Sequence, residues 1–597
     1  MGMGSQSPAP RSHETPEAVR RQPRFAAYGH VWEHYADELA LLDLLLQRIF
    51  VLRQEITPDP QTDAYRGMFI SEDEFLRLVG AAQRAETGDG RLEAVEQEIE
   101  AQEAQLAARV SASRESGVFL PLIYVSAVFG LTELERRIVM TAAAVELDRK
   151  YERIFGFLQD DLTAKLPNVS LVLQLVCRTP EEHRAARMSF ALTGKLARYF
   201  CTGEMQETAG RSMLSGAVAL DRRMAMFLLD SGAFDEGLKP AASIYYPDEA
   251  LPPLRVGEDA QLRLQSYLRQ AAARSKEPEA RETRRGIYLW GKPGAGKRLQ
   301  VRHACSAMGK PVLMADASLL SSLAAADFVK RMQELIREAM LHQAALAFTG
   351  VTSLYPEEQD AAAKQRAEQF YGLLEVFEGW LFLLGERPLR LNGEAPDRMW
   401  LEAELGVPEE RQREALWEAF AAELNVKSDA DWRAMGGKFR FTPGQIRRSL
   451  LLAAELTGWD TATAQPDASA DGGEIRIRTE TLIQACYGQV QHKLERKATR
   501  IVPRYGWDDI VLPDEQKDQL RSACNQVKYR TLVYGSWGFD RKLAYGKGLS
   551  MLFAGSSRNG ENDVRPGGGQ GSAAGAVQNR SVAGHQQIYR GNGKKPA

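Results

Sequence analysis

From about Phe25 to Gly237, apolar residues recur at the spacing of a single helix face. "LALLDLLLQRIFVLRQEI" (Leu39–Ile56) has dense apolar positions and neither Pro nor Gly, so it predicts a buried helix. "RLEAVEQEIEAQEAQLAARV" (Arg91–Val110) predicts a long amphipathic helix with a charged outer face. In "VFLPLIYVSAVFGLTELERRIVMTAAAVELD", Thr132 is placed to cap a helix whose first turn holds Glu133 and Glu135. "RKYERIFGFLQDDLTAKLPNVSLVLQLVC" reads as helix, break at Pro167, helix. Short helices with small intervening strands predict a winged-helix-like domain over 25–240.

The pattern then changes. Short apolar runs bounded by turn residues predict strands at Gly286–Trp290, Pro311–Asp316, Ala344–Leu354 and Gly379–Leu389, with helical stretches between them. "FRFTPGQIRRSLLLAAEL" (Phe439–Leu456) predicts a further helix. These elements define an α/β module over 250–459, a parallel sheet with a helical lid. A linker, "DTATAQPDASADGG", follows at 460–473, its composition unable to support a core. Residues 474–555 finish that lid and open a second, similar block: helical lead-in, strand, glycine-rich turn. The polar stretches 1–24 and 556–597 predict disorder.

Composition narrows the class. The chain has 597 residues, with 44% hydrophobic and 26% charged residues, ordinary for a globular protein. That length suits three or four domains of about 150 residues. A net charge of −3 gives no basic field for nucleic acid. The sequence has no apolar run of about 18 residues and no apolar leader, so neither membrane nor secretion is expected. The five cysteines are scattered without a CxxC pair, which suits a cytoplasmic protein and argues against a zinc site. Neither an HExxH nor a GxSxG setting is found.

The strongest chemical motif is "GKPGAGKR", Gly291 to Arg298. It lies between a predicted strand and helix, the context a phosphate-binding loop needs. The candidate residues are Gly291, Gly294, Ala295, Gly296 and Lys297. Glycines let backbone N–H groups converge on phosphate oxygens, and the lysine reaches the terminal phosphates. Arg298 departs from the motif, standing where Ser or Thr holds Mg²⁺, and a guanidinium cannot ligate a cation. ATP is therefore the expected cofactor, and Mg²⁺ is expected to be held poorly. The alternative is a glycine turn that binds no nucleotide. Hydrolysis also needs an apolar strand ending in a carboxylate, yet "AALAFTG" exits through Thr349 and Gly350. No catalytic residue is assigned. Arg447, early in the Phe439–Leu456 helix, is a candidate for the terminal phosphate; the alternative is a solvated lid arginine.

These phrases carry a resemblance. "GKPGAGKR", "LAFTG" and "TPGQIR" resemble an AAA+ P-loop module with a sensor-two helix start. "DAYRGMFIS" (Asp63–Ser71) and "ELDRKYERIFGFLQDDLT" (Glu146–Thr163) resemble the winged-helix-containing N-terminal region of bacterial AAA+ ATPases associated with contractile injection systems. In that family a degenerate AAA+ module precedes an active one, here announced by "WDDIVLP" (Trp507–Pro513) and "YGSWGFDRKLAYGKGLSMLFAG" (Tyr534–Gly555). The resemblance covers about Phe25 to Gly555. It implies a homo-oligomeric, hexameric ring that remodels protein substrates or injection-system components with ATP.

After "LFAG" the family pattern continues PPGTGKT, whereas this chain reads "SSRNGEND" from Ser556. Codons TCC TCC CGG AAC GGG GAA AAC GAC encode those eight residues and, read one base later, give PPGTGKT. "QQIYRGNGKKP" (Gln586–Pro596) can likewise be encoded so that the same offset gives SKYIGETEKN. Both segments decode with one offset, which predicts a one-base insertion near the codon of Gly555 and an incomplete second AAA+ module. The alternative is a native glycine-rich tail.

Three functions remain in play: an AAA+ ATPase impaired in hydrolysis, a non-catalytic winged-helix adaptor or DNA-binding module with a dead nucleotide fold, and a structural ring subunit. Arg136, Arg137, Arg184 and Arg187 are candidate phosphate contacts for DNA, but acidic residues interleave and nucleic acid is not expected as a partner.

Overall fold

The computed structural model describes residues 26–56, 91–161, 163–191, 193–201, 212–229, 232–255, 257–274, 284–355, 361–389, 391, 398–464, 475–489, 498–501, 511–529 and 576–579. The tail 1–24, the Asp63–Ser71 stretch, residues 465–473 of the linker, the Tyr534–Gly555 stretch and nearly all of 556–597 lie outside them.

The N-terminal region is helical: α1 (Val31–Ile56), α2 (Arg91–Glu115), α3 (Pro121–Val128), α4 (Glu133–Leu147), α5 (Lys150–Leu158), α6 (Val169–Val176), α7 (Pro180–Ser189) and α8 (Arg222–Leu228). Thr132 caps α4 as expected. Its hydroxyl accepts from the Glu135 amide while the Glu135 carboxylate accepts from the Thr132 amide, so two otherwise orphaned donors are satisfied. Pro167 lies in the break between α5 and α6. Among the described residues the expected small strands are reduced to two isolated antiparallel bridges, Asn168 with Ala217 and Cys201 with Leu220.

The second region holds β1 (Ala242–Tyr245), α9 (Glu258–Arg274), β2 (Arg284–Trp290), α10 (Lys297–Ser306), β3 (Val312–Asp316), α11 (Ala317–Ser321), α12 (Ala325–Leu341), β4 (Ala345–Thr349), α13 (Ala361–Leu374), β5 (Leu381–Gly385) and β6 (Arg398–Glu404). Its six strands run β1-β3-β4-β5-β2-β6. The last five are mutually parallel, and β1 joins the β3 edge antiparallel. Every residue of β4 and β5 is buried, the signature of central strands covered on both faces. Alternation along the strands sorts two cores. Leu346, Phe348, Leu381 and Leu383 join a core continuous with the N-terminal helices. Ala345, Ala347, Phe382 and Leu384 pack with Val301 and Ala304 of α10 and Leu264 and Leu268 of α9.

The lid follows: α14 (Glu410–Glu423), β7 (Val426–Ser428), α15 (Trp432–Lys438), α16 (Pro443–Ala464), β8 (Ile475–Ile477) and α17 (Thr479–Gln489). It has its own core, in which Trp417, Ile446, Leu450, Leu482 and Cys486 meet. Helix α16 runs to Ala464, into the expected linker, and α17 completes the lid beyond it, because Leu482 and Ala485 supply apolar surface that α16 must cover. Beyond the lid, the described residues hold β9 (Ala498–Ile501), α18 (Asp514–Lys528) and β10 (Ala576–Asn579), with β9 and β10 antiparallel. These four residues of β10 lie within the 556–597 stretch, and they pair with β9 from Ala576 opposite Ile501 to Asn579 opposite Ala498.

Candidate nucleotide site

The strand order changes direction about β2. From β2 the chain crosses β5 and β4 to reach β3, returns through β4 and β5, then passes over β2 to β6. The loop leaving β2 therefore opens where strand order switches direction, the place where open α/β sheets bind ligands.

That loop is Gly291 to Gly296. The Gly291 amide donates to Gly385 O at 3.2 Å, and the Leu405 amide donates to Trp290 O at 2.8 Å. These bonds tie the loop to the exits of β5 and β6. A Cβ on Gly291 would lie 2.3 Å from Leu405 O, so the approach itself demands glycine. Gly294 and Gly296 have φ of 81° and 93°, the left-handed region that other residues enter at a cost. Ala295 is buried beneath the turn and donates to Lys292 O at 3.1 Å. Gly296 occupies the N-cap of α10 without a side chain to satisfy the first amides of that helix, which leaves them available to an anion.

Lys297, the first residue of α10, curls back over the loop. Its Nζ donates to Gly291 O at 2.6 Å and to Lys292 O at 3.1 Å. Burial pushes the Lys297 ammonium below its ordinary pKa; the Glu386 carboxylate pulls it back up, and the Arg298 guanidinium pushes it further down. Glu386 therefore belongs to the surroundings of this lysine.

Arg298 does not point away. Its guanidinium donates to Thr349 Oγ1 at 3.1 Å, and that hydroxyl in turn donates to Ala315 O at 3.3 Å. The two positions that would flank a metal, one on the helix and one at the end of β4, close on each other. Gly350 has φ of 66°, and a Cβ there would lie 2.3 Å from Ser318 Oγ and 3.3 Å from Asp316 Oδ1. A glutamate at that position would sit in a strained left-handed conformation and would require the Ser318 hydroxyl to move. Asp316, the nearby carboxylate, accepts from the Ser318 amide at 2.9 Å as the cap of α11. Mg²⁺ prefers an octahedron of oxygens at about 2.0–2.1 Å, including one or two carboxylates. A guanidinium, a hydroxyl already bonded at both ends and a glycine do not fit that ion.

The lid reaches this loop directly. Thr442 Oγ1 donates to Pro293 O at 2.8 Å, and the Gly444 amide donates to Gly294 O at 2.9 Å. A Cβ on Gly444 would lie 2.8 Å from the Gly294 Cα, so two glycines are needed for the backbones to meet. Pro443 starts α16, where its missing N–H costs nothing. Arg447 lies one turn further, and its guanidinium faces Glu423 Oε1 at 3.4 Å, about half exposed. Arg255 holds the other oxygen of Glu423 at 2.9 Å. Gly291, Gly294, Ala295, Gly296, Lys297 and Arg298 are thus one site, while Arg447 is engaged within the lid. Sequence reading missed the Arg298–Thr349 bond, the place of Glu386 beside Lys297 and the Thr442–Pro293 contact. The Thr at the exit of a buried strand was the only local signal.

Residues 17–242 match the family described as winged helix domain, variant. The chain is also similar to Protein SAV of Sulfolobus acidocaldarius, 21% identical over 257 residues, which is 40% of this chain and 33% of that protein. The chain thus spans about a third of the length of this relative.

Proposed function

We propose that this chain is an AAA+-type protein whose first module binds ATP without hydrolysing it. The carrying observation is the loop between β2 and α10, with left-handed Gly294 and Gly296, uncapped helix amides and Lys297 folded over it. Its position at the switch of a parallel sheet, with a helical lid seated on it, supports the same reading. When bound, the triphosphate supplies the anion that the loop amides and Lys297 are arranged to meet. The chain's own residues then position it. Positioning alone does not cleave it, since neither Thr349 nor Gly350 can orient an attacking water as a carboxylate would. Turnover and the remodelling of protein partners would belong to a complete second module, which the codon reading assigns to the neighbouring frame beyond Gly555.

ATP titration by calorimetry tests this: binding to the full chain should be lost with Lys297→Ala. Equal binding by both proteins would exclude the loop as the site. A nucleic-acid reading gains little from the geometry. Arg136 meets Glu133 at 2.6 Å, and Arg137 meets Glu103 at 2.8 Å, so two of the four candidate arginines are neutralised within the helical region.

A further inference from the structure

We propose that Arg298 takes the place of the divalent cation in this site, so that the module binds nucleoside triphosphate free of Mg²⁺. The inference rests on the nucleotide reading above and adds which form of the nucleotide is bound.

Three observations point the same way. The first is placement. Position eight of the loop motif sits on the first turn of α10, where a hydroxyl would face the metal, and it holds a guanidinium fixed by Thr349 Oγ1 at 3.1 Å. The second is ligand chemistry. The hydroxyl at the end of β4 is already donating to Ala315 O at 3.3 Å, so its remaining lone pairs face the guanidinium. The third is space. The next residue, Gly350, has Ser318 Oγ 2.3 Å from where its Cβ would be, so no carboxylate replaces the missing ligand from there. Asp316 is held as a helix cap by the Ser318 amide.

The substitution is chemically coherent. A guanidinium is permanently charged and offers a planar fork of donors that matches phosphate oxygens. Thr349 anchors one amino group of Arg298 and leaves the rest of the fork, on an exposed side chain, for a ligand. A divalent ion brought to the same place would face Arg298 and Lys297 together and be repelled. Such a site holds a nucleotide in the state it arrives in, with no metal poised for phosphoryl transfer.

The test is calorimetric titration of the full chain with ATP, once with excess Mg²⁺ and once with EDTA. The expected result is an affinity for ATP in EDTA at least equal to that in Mg²⁺. Arg298→Ala should weaken ATP binding in EDTA by about tenfold or more, the scale of one charge-assisted hydrogen-bonded contact. Arg298→Lys should fall between, keeping the charge without the fork. Neither change should unfold the module, since Thr349 keeps its bond to Ala315 O, and thermal melting checks this. Binding that collapses when Mg²⁺ is removed overturns the inference and leaves the nucleotide reading intact. Metal-free binding that is indifferent to Arg298→Ala also overturns it. Absence of ATP binding in both buffers overturns the nucleotide reading itself, and this inference with it.

Discussion

At the scale of single residues, one position decides what chemistry the site can host. Gly350 combines a left-handed backbone with a side-chain direction already filled by Ser318. Restoring a carboxylate there is therefore a structural problem before it is a catalytic one. Gly350→Glu should destabilise the protein by about 1–3 kcal/mol or more from strain and overpacking, with no gain in ATP turnover. Urea unfolding followed by tryptophan fluorescence measures the first part, and phosphate release the second. A Gly350→Glu protein as stable as the parent would mean that the Ser318 hydroxyl gives way and the left-handed backbone is tolerated at little cost. The residue scale is also where sequence reading was most uneven. The loop glycines and Lys297 were legible because their spacing is local. The Arg298–Thr349 bond was not, because it joins residues on a helix and a strand separated by three further elements.

At the scale of elements, the buried parallel strands announced themselves and the edges did not. β4 and β5 are unbroken apolar runs because both faces are covered. β6 reads RMWLEAE with alternating burial, as an edge strand with one solvated face does, and β1 is four residues long. Neither departs enough from loop composition to stand out. The start of α16 was legible from Thr-Pro-Gly, but its seat on the Gly291–Gly296 loop depends on two glycines 150 positions apart meeting backbone to backbone. Gly444→Ala should lift the lid from the loop. The expected cost is about 1–3 kcal/mol, from forcing a methyl into that contact. Limited proteolysis should then cut between module and lid faster than in the parent chain. Unchanged cleavage would show that the lid does not depend on this contact.

At the scale of the whole molecule, the helical region and the sheet module share one core, and their joint is also charged. Glu338 of α12 is fully buried, with Arg223 of α8 at 2.7 Å and His342 at 3.4 Å. Burial raises the Glu338 pKa, but His342 and Arg223 outweigh it and hold the carboxyl below its ordinary value. A carboxyl depressed in the folded state contributes stability that is complete above its unfolded pKa, about 4.5, and is lost as pH falls through the lower folded value. Acid should therefore loosen this joint below about pH 4.5, read as a drop in melting temperature that Glu338→Gln makes shallower. Arg223→Ala, which leaves the buried carboxylate only His342 and the Asp235 amide at 3.4 Å, should cost up to about 3–5 kcal/mol at neutral pH. The double replacement Arg223→Met with Glu338→Leu should recover most of that loss, because the uncompensated charge is gone. A single arginine deletion without effect would mean that the joint is held by its apolar contacts alone.

The measurement that bears most directly on the account is steady-state phosphate release from ATP by the purified full chain, with Lys297→Ala alongside and Mg²⁺ in excess. The account predicts that both proteins release phosphate no faster than buffer, although only the parent binds the nucleotide. Sustained release that requires Mg²⁺ and disappears with Lys297→Ala would contradict it, for it would mean that this loop carries out hydrolysis with Thr349 and Gly350 where the carboxylates should stand.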